Sequence, residues 1–500
     1  MIRPAIQSHA FTLGALALGL CFAPARAHAL QGGEDDPPRS EEGSVTPAPQ
    51  DQGGGEKTGA EGEKKDEEAK EGEKGEERFL AVVGGDVYTG TGEVLRGATV
   101  LARNGKIKAI GYDLDLPPDT KTLDVKGYRV YPGLVAISSQ GLVGSSGSEF
   151  EDTIDPFNSR MILGLSTGIT TTGASSTAVK LKRFSIKDVV LRDKIFTVLS
   201  WSVRNPSSKR GLREKLQAAA DYLRQYREWE EKVKKDKELK EPAKKNVDSS
   251  ILSVLKGETV AKFNANERDD LLGIARLAQE FGFRPVIEGC QEGWTVADEL
   301  GRAGASAIVT PRDRKPKDEQ LAVDAGSSIE NAAILHRAGV SVAVVPATEG
   351  VDLGGIVGRD IMALPIEADF AVRGGLSEQA ALESITIVPA RILGVSHRVG
   401  SLAVGKDCDL IVTDGDVLHY RTFVQWAVVD GKVVYDKEKE LFFAHIRPRP
   451  AAPAPEKKLD KGETPPKAEE KAKEEEKDKK ASDEKKGDEK KDEKKEGGGG

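Results

Sequence analysis

Six histidines in 500 residues is few, and two of them, His9 and His28, lie within the first thirty positions. The other four, His336, His397, His419 and His445, are scattered, and none ends a predicted strand. A metal centre built on imidazole therefore lacks its usual material. Cysteine is as sparse, with Cys21, Cys290 and Cys408. Without the leader segment only two distant thiols remain, which excludes a disulfide framework. No apolar run reaches the roughly 20 residues that a membrane-spanning helix needs, so the chain is expected not to be transmembrane. A phosphate-cradling glycine loop is also missing, which weighs against a doubly wound nucleotide-binding sheet. Positive charge is not in excess: 74 Lys and Arg against 82 Asp and Glu give a formal charge of -8. That balance argues against nucleic acid or an anionic membrane surface as a partner.

The two ends of the chain read differently from its middle. Residues 1–29 have the form of a signal peptide, with Arg3 ahead of an apolar stretch from Phe11 to Phe22 and a small-x-small site at Ala27, His28 and Ala29. The expected location is secreted or periplasmic. Cleavage would remove Arg3 and Arg26 and no acid, taking the formal charge from -8 to -10. Residues 30–78 are rich in Gly, Glu, Lys and Pro with almost no large apolar side chains. Such a segment cannot bury enough surface to offset its ordering entropy, and a disordered linker is expected. Residues 447–500 repeat this composition as a Lys/Glu-rich tail, also expected to be disordered.

Between the ends, residues 79–131 give short β runs, and residues 396–446 return to the same texture. Asn104 with Gly105, and Asp430 with Gly431, mark hairpin turns, because tight hairpins need positive φ. Two β blocks at opposite ends of the folded region predict one composite β-sandwich. From 132 to 395 the rhythm changes to apolar strands alternating with amphipathic helices, which means a parallel sheet covered on its faces. The fold class is therefore α/β. That length suits a (β/α)₈ TIM barrel, with any chemistry at the C-terminal strand ends. A helical insertion is expected within 203–250. Its helix, over 211–240, presents Leu212, Leu216, Ala220, Leu223, Tyr226, Trp229 and Val233 on one face.

Residues 130–141, VYPGLVAISSQG, lie where the β block meets this alternation. They resemble the PGLIDxHxH signature of the amidohydrolase superfamily, in which two histidines end the first barrel strand and hold a metal. The segment 384–416, SITIVPARILGVSHRVGSLAVGKDCDLIVTDGD, resembles the family's exit from the barrel nearly residue for residue. The stretches EDTIDPFN, STGITTTGASS, SVLKGETV, RDDLLGIARLAQEFGFRPVIEG and EGWTVADEL also match in order. The resemblance is strongest to the imidazolonepropionase-like branch. It implies a barrel, a composite β domain, a divalent metal such as zinc, and hydrolysis of carbon–nitrogen bonds.

The family's ligand positions do not carry the family's ligands. The paired histidines of the first strand correspond to Ser138 and Gln140. The HAHR motif of the fifth strand corresponds to Asn264, Ala265, Asn266 and Glu267. The sixth-strand histidine falls on Gly289, the eighth-strand aspartate on Ala347, and the fourth-strand carboxylate on Arg204. Amides are weak neutral donors, and Gly and Ala side chains offer nothing. The expectation is a metal-free site without cofactor and without an assignable catalytic residue.

The expected function is a catalytically degenerate family member that binds a small molecule or partner in the barrel mouth. The alternative is a hydrolase of non-peptide C–N bonds, of the cyclic-amide type, through a non-standard site. Candidate pocket residues are Asn266, Glu288, Cys290, Glu292 and Glu349. Cys290 reads as an inert buried thiol, since no base is placed beside it. Arg204 is expected to replace the lost metal charge by pairing with Glu288, Glu292 or Glu349. A homo-oligomer is left open.

Overall fold

The computed structural model describes residues 77–144, 153–237, 239–317, 324–352 and 358–440. All of them fall in one compact unit, Glu73–Gly500. The expected signal peptide, nearly all of the linker and the charged tail lie outside the described residues, as do His9, His28, Cys21 and His445.

The first β block gives β1 (Phe79–Tyr88), β2 (Val94–Arg103), β3 (Lys106–Gly111), β4 (Lys121–Asp124) and β5 (Arg129–Pro132). The middle gives β6 (Leu134–Ala136), β7 (Ile169–Ala174), β8 (Thr177–Lys180), β9 (Val190–Arg192), β10 (Phe196–Leu199), β11 (Val260–Ala265), β12 (Val286–Gly289), β13 (Ser306–Val309) and β14 (Ser341–Val344). The last block gives β15 (Leu410–Thr413), β16 (Val424–Val429) and β17 (Lys432–Asp436). Helices α1 (Ser159–Thr167), α2 (Pro206–Val233), α3 (Ser249–Lys256), α4 (Arg268–Phe281), α5 (Ala297–Arg302), α6 (Asn331–Arg337), α7 (Leu364–Arg373), α8 (Glu378–Ser384) and α9 (Ile387–Ile392) are interspersed from β6 onwards.

Strands from both chain ends form one eight-stranded sheet in the order β17-β16-β15-β5-β1-β2-β3, with β4 also on β1. The two expected hairpins are its local joints: Asn104 (φ 51) and Gly105 (φ 84) link β2 to β3, and Asp430 (φ 48) and Gly431 (φ 65) link β16 to β17. The expected sandwich is thus a single curled sheet rather than two. Register shifts around Gly85 bend β1, so that residues 80–83 pair with β4 and residues 86–87 with β5. At the far end Ile107 donates to the Lys406 carbonyl at 2.8 Å, drawing β3 toward the entry of β15. Alternate residues serve two cores. Val130, Leu410, Val412 and Val428 fill the inside of the curl, while Tyr131, Ile411, Ala427 and Val429 pack toward the barrel side. That period of two explains why β15 is buried at all four positions.

The parallel part is barrel-like but not closed among the described residues. Strands β10 to β14 form one parallel ladder, and β6 with β7 form another. Between them β7 leads into a hairpin instead of a further parallel strand. Ser175 (φ 55) and Ser176 turn the chain back, and β8 runs antiparallel along β7 from Ala174/Thr177 to Thr171/Lys180. The outer edge of β7 is therefore taken by β8. On the other side β6 and β14 meet beyond their ends, through the Gln140–Gly350 bridge and a 3.0 Å bond from the Gln140 amide to the Glu349 carbonyl.

Side chains sort cleanly on either face of this wall. On β11, Ala261, Phe263 and Ala265 are buried in the outer core with the helices, and Val260 packs with the inner cluster of Val135, Ile137, Val286, Ile308 and Ala343. Burying a phenylalanine such as Phe263 contributes roughly 1.5–3 kcal/mol. The insertion helix α2 starts at Pro206, earlier than expected, because Asn205 caps it by accepting from the Ser208 amide. It ends at Val233, and Leu212, Leu216, Ala219 and Tyr222 are its buried face.

The Pro132, Gly133 step hinges the sheet to the barrel. A Cβ on Gly133 would lie 2.0 Å from Thr170 Oγ1, so only glycine lets β6 approach β7 this closely. The Gly133 amide donates to the Asp409 carbonyl at 3.0 Å, tying the start of the barrel to the last β block.

Candidate functional site

The C-terminal strand ends bring three of the singled-out residues together. Beyond β6, Ser138 donates from Oγ to Glu349 Oε1 at 2.6 Å, and Gln140 Nε2 lies 3.4 Å from Glu349 Oε2. Glu349 itself follows β14, two residues after the exposed Ala347. The bond between the Gln140 amide and the Glu349 carbonyl holds the two segments in register.

Across β11 and β12 the ladder pairs Lys262 with Val286 and Asn264 with Glu288. Lys262 and Asn264 share a face because they are two residues apart in a strand. Lys262 Nζ lies 3.3 Å from Glu288 Oε2 and 5.4 Å from the centre of the Phe196 ring. Both charged side chains are largely sheltered, at 17% and 27% exposure. Lys262 was not among the residues singled out from sequence. Its two-residue spacing from Asn264 was the available signal. Val198, paired with Lys262 on the neighbouring strand, is 77% exposed, as befits the unclosed side of the barrel.

The strand-six position is filled from its neighbour. Gly289 has φ 90, and a Cβ there would lie 2.2 Å from Asn266 Oδ1. That oxygen is buried and has no hydrogen-bond partner. Cys290 is wholly buried, and burial pushes its thiol up to about 12, so the nucleophilic thiolate is absent near neutral pH. Glu292 is also buried and already committed. It accepts from the Arg268 amide at 2.9 Å and the Gly326 amide at 2.9 Å, with Lys315 Nζ at 3.0 Å. Burial works to raise its pKa, but these donors outweigh it and hold the carboxyl below its ordinary value.

Arg204 does not do what its position suggested. It is 80% exposed and pairs with Glu267 at 2.9 Å, not with Glu288, Glu292 or Glu349. The reason is local: Val203 and Arg204 lie in a turn that leads into the Asn205 cap of α2, which directs the arginine to the rim.

A second charged group, unforeseen from sequence, lies at the junction with the sheet. Lys180, fully buried at the end of β8, sits 2.7 Å from Asp407, 2.8 Å from Asp409 and 2.5 Å from Asp430. Lys106 at 3.0 Å and Arg398 at 2.8 Å also engage Asp407, and Lys182 pairs with Asp430. Burial acts to lower the Lys180 pKa, but the three carboxylates outweigh it and keep the ammonium charged. Burial acts to raise Asp407, yet Lys180, Lys106 and Arg398 hold it at about 2. For Asp409 burial wins over Lys180, and its pKa is raised.

A transition-metal centre does not fit the strand ends. The side chains present are Ser138, Gln140, Asn264, Asn266 and Ala347, with none at Gly289. Glu349 is a carboxylate, but Ser138 and Gln140 already donate to it. His336, His397 and His419 are exposed and lie away from the strand ends. Among the described residues the group with three converging carboxylates is Asp407, Asp409 and Asp430, and it encloses the Lys180 ammonium.

Comparison with known proteins gives these features a context. A family model described as "Amidohydrolase family" matches residues 270–440. "Amidohydrolase tasK" of Hapsidospora irregularis is 34% identical over 82 residues, 16% of this chain and 8% of that protein. "N-acetylglucosamine-6-phosphate deacetylase" of Danio rerio is 40% identical over 55 residues, 11% of this chain and 14% of that protein. The chain thus spans only a small part of the curated relatives it matches. The crystal structure of an amidohydrolase from Thermotoga maritima MSB8 superposes with a TM-score of 0.54 at 23% identity, covering 72% of this chain and all of the other. That likeness shows the fold.

Proposed function

We propose that this chain, which belongs to the amidohydrolase superfamily, is a secreted, metal-free and catalytically degenerate member. Its barrel mouth binds a small molecule or a partner. The observation that carries this reading is the neutral arrangement on Glu349. At the strand end where the resemblance places two metal-binding histidines, Ser138 and Gln140 instead hydrogen-bond to a carboxylate. On the facing strands the Lys262–Glu288 pair supplies its own internal charge balance. The secreted location rests on the signal-like residues 1–29.

The deciding experiment is metal analysis of the purified protein together with a hydrolase panel of cyclic amides and N-acyl amino acids. The expected result is substoichiometric metal and no turnover. Stoichiometric metal with turnover overturns the proposal. In a thermal-shift screen, ring amides and dipeptides should include a stabiliser. A ligand at 100 times its Kd would add about 2.7 kcal/mol.

A second reading, hydrolysis of C–N bonds through a non-standard site, is supported by the names of the relatives, an amidohydrolase and a deacetylase. Glu349, 2.6 Å from the Ser138 hydroxyl, is the group placed to act as its base. That reading requires turnover that Glu349→Gln abolishes.

A further inference from the structure

The acids along this rim are not treated alike. Glu267 faces Arg204 at 2.9 Å, Glu288 faces Lys262 at 3.3 Å, Glu292 faces Lys315 at 3.0 Å, and Asp313 faces Arg359 at 3.1 Å. Each of these four carboxylates thus has a cation. Glu349 has none among the described residues and is held by the neutral donors Ser138 and Gln140 alone.

A carboxylate can accept about four hydrogen bonds, and two of these are used. Ser138 and Gln140 approach different oxygens, so each oxygen keeps an acceptor position. The carboxylate is fixed in place, half-buried, and short of both charge and donors. A planar cation with two parallel N–H groups satisfies both shortages at once. Asn264, exposed on β11, has a side-chain amide that can donate or accept.

We infer that the barrel mouth binds a small organic cation, an ammonium, amidinium or guanidinium, through Glu349. This inference rests on the pocket-binding reading above and names its ligand class.

An isosteric series tests it: benzamidine, benzamide and benzoate, read by calorimetry and thermal shift on the full chain. Benzamidine is expected to bind at least about tenfold tighter than benzamide, the size of one charge-assisted hydrogen bond. Benzoate should not bind. Glu349→Gln should erase the preference for benzamidine. Ser138→Ala, which keeps the carboxylate, should weaken benzamidine by less than Glu349→Gln does. Benzamide binding as well as benzamidine, or a preference that survives in Glu349→Gln, overturns the inference. The wild-type series decides the matter even where a variant does not fold. Binding of uncharged ring amides without benzamidine sinks the cation and leaves the pocket reading intact; no binding by any of these sinks both.

Discussion

Two charged regions of this molecule are built on opposite plans. At the junction of sheet and barrel, one lysine is sealed among three aspartates, and further bases close around the rim. At the barrel mouth, by contrast, the positions on which the family resemblance places metal ligands hold hydroxyl, amide, methyl or no side chain, apart from Arg204, which turns to the rim. Apart from Glu349, the charges there pair locally and in part face solvent. Buried ions are costly to leave unpaired, so their network must stay complete or the fold suffers. Mouth residues are free of that constraint. The difference teaches that this fold keeps its charges where they join distant segments of the chain, and carries few where the family's hydrolytic chemistry would need them.

The sharpest way to break that comparison is to remove the buried cation. Lys180→Met leaves Asp407, Asp409 and Asp430 facing one another within 4.8 Å. A loss of about 3–5 kcal/mol is expected, read from the urea midpoint and slope. A loss under about 1 kcal/mol would mean that the network is not structural. At the mouth, restoring an imidazole should fail for steric rather than chemical reasons. Gly289→His must hold a bulky residue at φ 90 against Asn266 Oδ1. About 2–3 kcal/mol of destabilisation is expected, and Asn266→Ala in the same chain should relieve the clash but not the backbone strain.

Acid should act on the junction through Asp407. Asp407 is depressed from 3.8 to about 2 by its three cations, against its burial. A depressed carboxyl adds stability that is fully present above its unfolded pKa and is lost as pH falls through the folded one. The window is therefore from about pH 4 down to about pH 2, and the amount is roughly 2 kcal/mol. Asp409 has the opposite sign, because a raised carboxyl gains stability on protonation and offsets part of the loss. Unfolding free energies measured across this range should lose part of their slope in Asp407→Asn, the rest coming from Asp430, Glu292 and Asp248, whose carboxyls are also held below their ordinary values. An unchanged slope would place the acid-sensitive groups elsewhere.

How much of this was legible in the sequence follows from the range of the interactions. Hairpins at Asn104, Gly105 and at Asp430, Gly431 were readable because a turn is decided by two adjacent residues. The face of α2 was readable from its spacing, although its buried centre includes Ala219 and Tyr222. The Lys180 cluster was not, since its partners lie more than 220 positions away and no local pattern joins them. Lack of closure was hidden for a similar reason. The sequence around Ser175 and Ser176 reads as the end of one strand, and only pairing with β8 shows that the chain doubles back. Ser138, Gln140 and Glu349 were each singled out, but their meeting depends on where β6 and β14 lie in space.

Arg204 marks the smallest expected effect and the cleanest contrast with Lys180. Both are cations beside acids, one ending β8 and the other in the turn that follows β10. Lys180 has no exposed side-chain surface, whereas the Arg204 side chain is 80% exposed beside a Glu267 that is 38% exposed. Water screens such a pair, and holding two long side chains together costs entropy that offsets the attraction. Arg204→Ala should therefore change the unfolding free energy by no more than about 0.5 kcal/mol. It should also leave benzamidine affinity unchanged, because Glu349 carries that interaction and the arginine points to the rim. A tenfold change in affinity in either direction would put Arg204 back in the mouth, and with it the idea that this side chain replaced the metal.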